Sequence, residues 1–149
     1  MTVRARIYLC GVKLYGIVLA TCAVLGVQVA QAQDYVHAHV IEIVADKDSR
    51  YKSPAGSKPE ITLKSGEKVL LRVTARKAKS WNRDGSIHGF TLLRAGDRTK
   101  VPDWNLLLRP GTQEFQLTAP AEPGEYVVVC TVICSEDHEG MNMRVVVAP

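Results

Sequence analysis

The chain is short of several things. No segment after the first 32 residues sustains a helical period, which excludes a helix bundle. There is no internal repeat and no low-complexity tract, which excludes a solenoid or a disordered linker. Of the four cysteines, only Cys130 and Cys134 lie beyond residue 32, so no multi-bridge disulfide framework holds the fold. A large charge of one sign is also missing. Arg4, Arg6 and Lys13 precede the first acidic residue; without them the 19 basic residues fall to 16 against 15 acidic ones. The basic balance of the whole chain is therefore partly an N-terminal effect, and no nucleic-acid partner follows from it.

That N-terminal stretch has its own logic. A positive start is followed by Leu14–Val29, an apolar run without a charged residue. Ala30-Gln31-Ala32 then places small residues at the two positions that a signal peptidase reads. This is the layout of a secretory signal peptide, so residues 1–32 are expected to be a leader, with the mature chain starting near Gln33. The alternative is an uncleaved membrane anchor, because the run is only slightly short of the ~20 residues needed to span. A lipoprotein reading through Cys22 is weaker, since Thr21 is a poor residue before a lipidated cysteine. Residues 33–149 make one domain of ordinary size, long enough to bury a core unaided.

Short alternating segments fill that domain. Tyr35–Ala45, Ile61–Leu63, Lys68–Ala75, Ile87–Leu93, Trp104–Leu108, Thr112–Thr118, Glu125–Cys130 and Asn142–Val147 read as strands. Asp46–Pro59, Arg76–Gly85 and Arg94–Asp103 read as loops. About eight short strands between Gly/Pro turns point to an all-β sandwich or barrel.

The chemistry is concentrated near the C-terminus, in Cys130-Thr-Val-Ile-Cys134-Ser-Glu-Asp-His138-Glu-Gly-Met141. Taken singly, each of these residues has an ordinary explanation. A Cys-x3-Cys pair in an exported protein is usually a disulfide or redox pair. A lone histidine such as His88 is usually structural, and a lone methionine is core packing. Together they are a soft donor set. Thiolate and thioether select copper in its lower oxidation state, and imidazole suits both states. Cys130 and Cys134 are up to about 13 Å apart if extended, so both sulfurs reach one site only where the loop curls back. His88 must come from a neighbouring strand. Two arrangements remain open. One copper could take His88, one cysteine, His138 and Met141, which leaves a thiol idle. Alternatively both thiolates bridge two coppers, each with one imidazole.

These residues carry a resemblance. Cys130, Cys134, His138 and Met141 match Cys-x3-Cys-x3-His-x2-Met without gaps, and His88 in His-Gly-Phe matches an earlier ligand and its surroundings. The chain from about Glu60 to Val147 thus resembles the dinuclear copper A domain of cytochrome c oxidase subunit II, found also in nitrous oxide reductase. The resemblance implies a Greek-key cupredoxin fold and a role in passing electrons from a donor such as cytochrome c to a catalytic centre elsewhere. It implies that Cys130 and Cys134 bridge two coppers, that His88 and His138 bind one copper each, that Met141 is a weak ligand and that Val132 contributes its backbone carbonyl. Oxidase subunits carry Glu at the position of Val132, where the side chain serves a second metal site against the catalytic subunit. Valine keeps the carbonyl and loses the carboxylate. Subunit II also has two membrane helices before its copper domain, and this chain has at most one.

Other features say less. His37 and His39 share one side of a strand, either as an accessory copper site or as an exposed pair. Trp81 and Trp104 lie on an electron path or are packing residues. Glu136, Asp137 and Glu139 flank His138 as an acidic rim suited to a basic redox partner, or as a solvated loop. The expected function is a periplasmic electron carrier with no bond chemistry of its own. The alternatives are a component of a haem–copper oxidase, a copper-delivery protein and a one-copper cupredoxin. Mass measurement of the exported protein should find an N-terminus near Gln33; an intact leader would favour the anchor.

Overall fold

The fold follows from alternation. A computed structural model describes residues 35, 37–77 and 82–149; the expected leader and Trp81 fall outside these residues. Its domain is the compact unit His37–Pro149. In chain order the strands are β1 His39–Ala45, β2 Tyr51–Lys52, β3 Ile61–Lys64, β4 Lys68–Ala75, β5 His88–Arg94, β6 Lys100–Leu108, β7 Gly111–Thr118, β8 Gly124–Val129 and β9 Asn142–Ala148. One sheet has the order β2-β1-β4-β7 and the other β3-β9-β8-β5-β6. Strands β1–β4 and β3–β9 pair parallel, and the other neighbours are antiparallel. The result is the expected all-β Greek-key sandwich. Among the described residues no helix is long and apolar enough to cross a membrane.

Strand β4 shows the rule most clearly. Val69, Leu71, Val73 and Ala75 are buried while the residues between them are not, because successive side chains point to opposite faces. Strand β5 breaks the rule: His88 to Leu93 are all buried. It lies between β8 and β6, its inner face is on the core, and the loop after β8 covers part of its outer face.

The structure departs from the sequence reading in three places. The loop after β1 contains a two-residue strand, in which Tyr51 pairs with Ala45 and sends its ring into the core. Strand β6 starts at Lys100, inside an expected loop, because a bulge shifts its register against β5 between Thr91 and Leu93. Asp103 lies in that bulge with φ 63°. The bulge brings Trp104 onto the core, where its Nε1–H donates to the Thr118 carbonyl at 2.8 Å and ties the two sheets. Trp104 stacks on Phe90 at 6.5 Å, and Phe90 meets Tyr51 edge-on at 5.4 Å. Finally, β1 begins only at His39, so His37 precedes the strand and the two imidazoles do not form a strand pair. His39 Nδ1 instead meets Glu67 Oε1 at 3.1 Å.

The turn from β1 to β2 is held by one carboxylate. Asp46, 7 % exposed, accepts from the Lys47 N–H at 2.8 Å and from Lys52 Nζ at 2.7 Å, with Arg76 Nη1 3.5 Å away. The Lys52 hydrogen bond holds the Asp46 carboxyl below the usual carboxylate range, against the opposing effect of burial. A depressed folded value stabilises the protein above the unfolded-chain value of about 3.9, and that stability is lost as pH falls through the folded value. Asp46→Asn should therefore lower stability at neutral pH by about 2 kcal/mol in chemical denaturation. The gap to the parent should close as pH drops below about 4.

Candidate metal centre

The segment between β8 and β9 carries most of the singled-out side chains, and β5 carries the last. Strand β8 ends at Val129, so Cys130 leaves the sheet pointing inward, in the same alternation as Tyr126 and Val128. The Cys130 N–H donates to the Met141 carbonyl at 3.1 Å, which closes the base of the loop. Cys134, Met141 and His88 are fully buried, and Cys130 is 8 % exposed.

Three of these residues converge. The ligand atoms of His88, Cys130 and Cys134 all lie within 4.8 Å of one another. The two sulfurs are 3.8 Å apart, and both thiols are free. The loop thus curls back, as a shared site requires. The Val132 carbonyl also turns inward and accepts from Cys130 Sγ at 3.2 Å.

His88 is oriented for coordination. Its Nε2 lies 3.1 Å from the Arg76 carbonyl, which can only accept, so Nε2 carries the proton. Nδ1 then presents a lone pair, and it is buried with no hydrogen-bond partner. An orphaned buried polar atom costs free energy unless something binds it. Burial holds the imidazole below its ordinary value, with the Arg76 carbonyl and Asp46 opposing, so it is neutral near pH 7. Burial also pushes the Cys130 thiol up to about 11; Cys134 adds to this, and hydrogen bonds at Gly89 and Val132 oppose it. Without metal the Cys130 thiol and the His88 imidazole are therefore neutral near pH 7. Two thiols and a free imidazole nitrogen in such a place suit a soft, thiophilic metal that replaces the thiol protons.

His138 stands apart. It opens a 3-10 turn, His138–Gly140, and its Nδ1 lies 3.0 Å from the Ser135 carbonyl. It is not one of the three convergent residues. It lines a surface cleft of about 630 Å³ together with Ser49, Ile133 and Ser135. Glu136, Asp137 and Glu139 surround it, and Ile133 is 69 % exposed beside them.

Sequence reasoning missed the residues that fasten this loop. Gly89 donates its N–H to Cys130 Sγ at 3.2 Å. A Cβ at Gly89 would come 2.6 Å from Thr131 Oγ1 and 2.7 Å from the Thr131 nitrogen, so the loop packs on bare backbone. Thr131 also meets the Thr91 hydroxyl at 3.0 Å. The Tyr51 hydroxyl donates to the Gly89 carbonyl, fixing the same residue from the core side. Burial and the two neighbouring cysteines push the Tyr51 phenol well above its ordinary value, so it stays a donor. The glycine after His88 was visible in the sequence; nothing there marked Tyr51 or Thr131.

No family model and no curated protein matches the chain. Solved structures do. A chain of a haem–copper terminal oxidase dimer, solved by cryo-EM, aligns with TM-score 0.52 and 19 % identity, covering 96 % of this chain and 100 % of that one. Auracyanin A from Chloroflexus aurantiacus, described as a "blue" copper protein, aligns with TM-score 0.50 and 22 % identity, covering 73 % of this chain and 98 % of that one. Auracyanin B aligns with TM-score 0.49 and 19 % identity, over 75 % of this chain and 90 % of its own. At these identities the likeness is one of fold, and the fold is that of the cupredoxins.

Gly89→Ala should cost about 1–3 kcal/mol by overpacking in chemical denaturation. Gly96→Ala is the control: a Cβ there meets nothing within 4 Å, and the change should stay within about 0.5 kcal/mol.

Proposed function

We propose that this chain is a periplasmic electron-transfer protein whose centre is a dinuclear copper A site. The observation that carries the reading is the convergence of His88, Cys130 and Cys134 within 4.8 Å in a buried pocket of a cupredoxin sandwich. Bound copper supplies a one-electron couple. The residues do the rest. Cys130 and Cys134 would give up their thiol protons and hold the metal as thiolates. His88 offers Nδ1, oriented by the Arg76 carbonyl behind it. Val132 offers its carbonyl from inside the loop. Met141 and His138 complete the set. The surrounding strands exclude water and keep the donors in place, which suits a site that must change charge without moving.

Both sulfurs face the same pocket at 3.8 Å, a spacing that suits two thiolates shared between two metals and equally two thiolates on one, so the dinuclear reading rests on the Cys-x3-Cys-x3-His-x2-Met spacing. The position of His138 does not separate the two readings, because both use it: its imidazole is engaged with the Ser135 carbonyl and lies outside the convergent group. To serve as a ligand in either set, that ring would have to turn inward.

The partner is a redox protein such as a cytochrome c. Exposed Glu136, Asp137 and Glu139, with exposed Ile133 in the same loop, suit a partner with a basic face and an apolar contact. Val132 in place of a carboxylate argues for a carrier over an oxidase subunit, although an oxidase chain shares the fold. Residues 1–32 would direct export, or anchor the domain if retained.

Metal analysis of copper-loaded protein, with electron spin resonance, tests the reading. Two coppers per chain sharing one unpaired electron is the expected result; one copper and a titratable free thiol would overturn it. Cys130→Ser should abolish the shared-electron signal while leaving room for a single-copper spectrum. Reduction by a basic cytochrome should slow as salt rises, and a rate independent of salt would remove the acidic rim from the account.

A further inference from the structure

The turn between β1 and β2 holds a feature that the ligand set does not explain. Ser49 has φ 56°, a left-handed backbone that side-chain-bearing residues seldom adopt, and it is 1 % exposed. Such conformations persist only where their surroundings over-determine them, and they gather at functional sites. Here the surroundings are explicit. The Ser49 N–H donates to the Asp46 carbonyl at 3.0 Å, and Arg50 Nη1 donates to the Ser49 carbonyl at 2.8 Å. The strained residue delivers its hydroxyl to the ligand loop. Ser49 Oγ lies 3.5 Å from Cys134 Sγ and 2.6 Å from Ser135 Oγ. Ser135 Oγ in turn accepts the Asp137 N–H at 3.2 Å.

Burial gives this contact a consequence. Cys134 and His88 are fully buried and Cys130 nearly so, so nothing reaches the donors unless part of the wall moves. Most of the wall is sheet. Strand β8 is hydrogen-bonded to β9 along its length and to β5 over Thr91–Arg94, and β5 is paired with β6 from His88 onward. The 46–50 turn is different, because it meets the ligand loop through a few side chains at the cleft where Ser49 and Ser135 touch. Local opening begins where few contacts must break.

We infer that Ser49 is a positioning residue and latch: its hydroxyl orients Cys134 and joins the 46–50 turn to Ser135, closing the route by which a metal reaches and leaves the thiols. The route is the cleft beside Ser49, Ile133, Ser135 and His138. The proposal rests on the copper reading only for the identity of what passes; the latch itself is a property of the metal-free chain.

The test is thiol labelling of the metal-free full chain by a disulfide reagent at fixed pH, alongside its unfolding curve. Ser49→Ala removes the hydroxyl and keeps the strain. Ser49→Gly removes the hydroxyl and relieves the strain. Both should speed labelling about fivefold, the factor for one lost hydrogen bond, without a matching fall in global stability. The Ser49→Ala and Ser135→Ala changes should not add, because they break the same contact. Unchanged labelling in both Ser49 variants would overturn the proposal. So would acceleration in Ser49→Ala alone, which would assign the effect to strain. Rates that merely track global unfolding, or additive changes, would also overturn it. None of these outcomes depends on how many coppers bind, which metal analysis decides separately.

Discussion

The candidate centre depends on a contact in which one partner has no side chain. Gly89 meets the loop after β8 backbone to backbone, donating its N–H to Cys130 Sγ while Thr131 occupies the space that a Cβ would take. Tyr51 holds the Gly89 carbonyl from the other side. This junction decides how deep the loop sits, and therefore whether Cys130 and Cys134 turn toward the core or toward solvent. His88, the neighbouring residue on the same strand, is placed by the same pairing. One stretch of β5 thus supplies a donor and seats two others.

Burial then sets the chemistry. Two thiols, a neutral imidazole with a free nitrogen and an inward carbonyl lie in one buried pocket. Such a pocket penalises charge, so without metal burial keeps the proton on the Cys130 sulfur. A metal cation changes that balance, because it compensates the thiolates where solvent cannot. The rigidity has the same origin. The loop is closed at its base by Cys130 and Met141, and its outer face is tied to the 46–50 turn through Ser49 and Ser135. The turn is stabilised by Asp46, whose charge is also felt at the His88 imidazole.

The fold was largely legible. Alternation placed most strands because each buries a single face, as β4 and β9 do. It failed where another force prevailed. Tyr51 joins a strand because its ring fills the core, and the start of β6 was hidden by a bulge that disrupts the period. The site was half legible. Cys130, Cys134 and His88 were named from residue type and spacing, and the structure brings them together. His138 was named with them and lies at the rim, because spacing gives the reach of a chain and leaves the turn of a ring open. Ser49 was not named at all: one serine in a polar loop carries no mark of its backbone angle or of a contact 85 residues away.

By itself, the sequence determined which atoms are available: two thiols, the imidazoles and a thioether, arranged on short strands that must form a two-faced sandwich. These follow from local chemistry and from the period of alternation, which do not need a partner to be defined. Only the tertiary structure decided which of those atoms meet, which nitrogen of His88 is left without a proton, and what closes over them. Those outcomes depend on non-local contacts, a glycine under a loop and a strained serine beside a thiol, and such contacts exist only when distant segments are brought within a few ångströms by the packing of the two sheets.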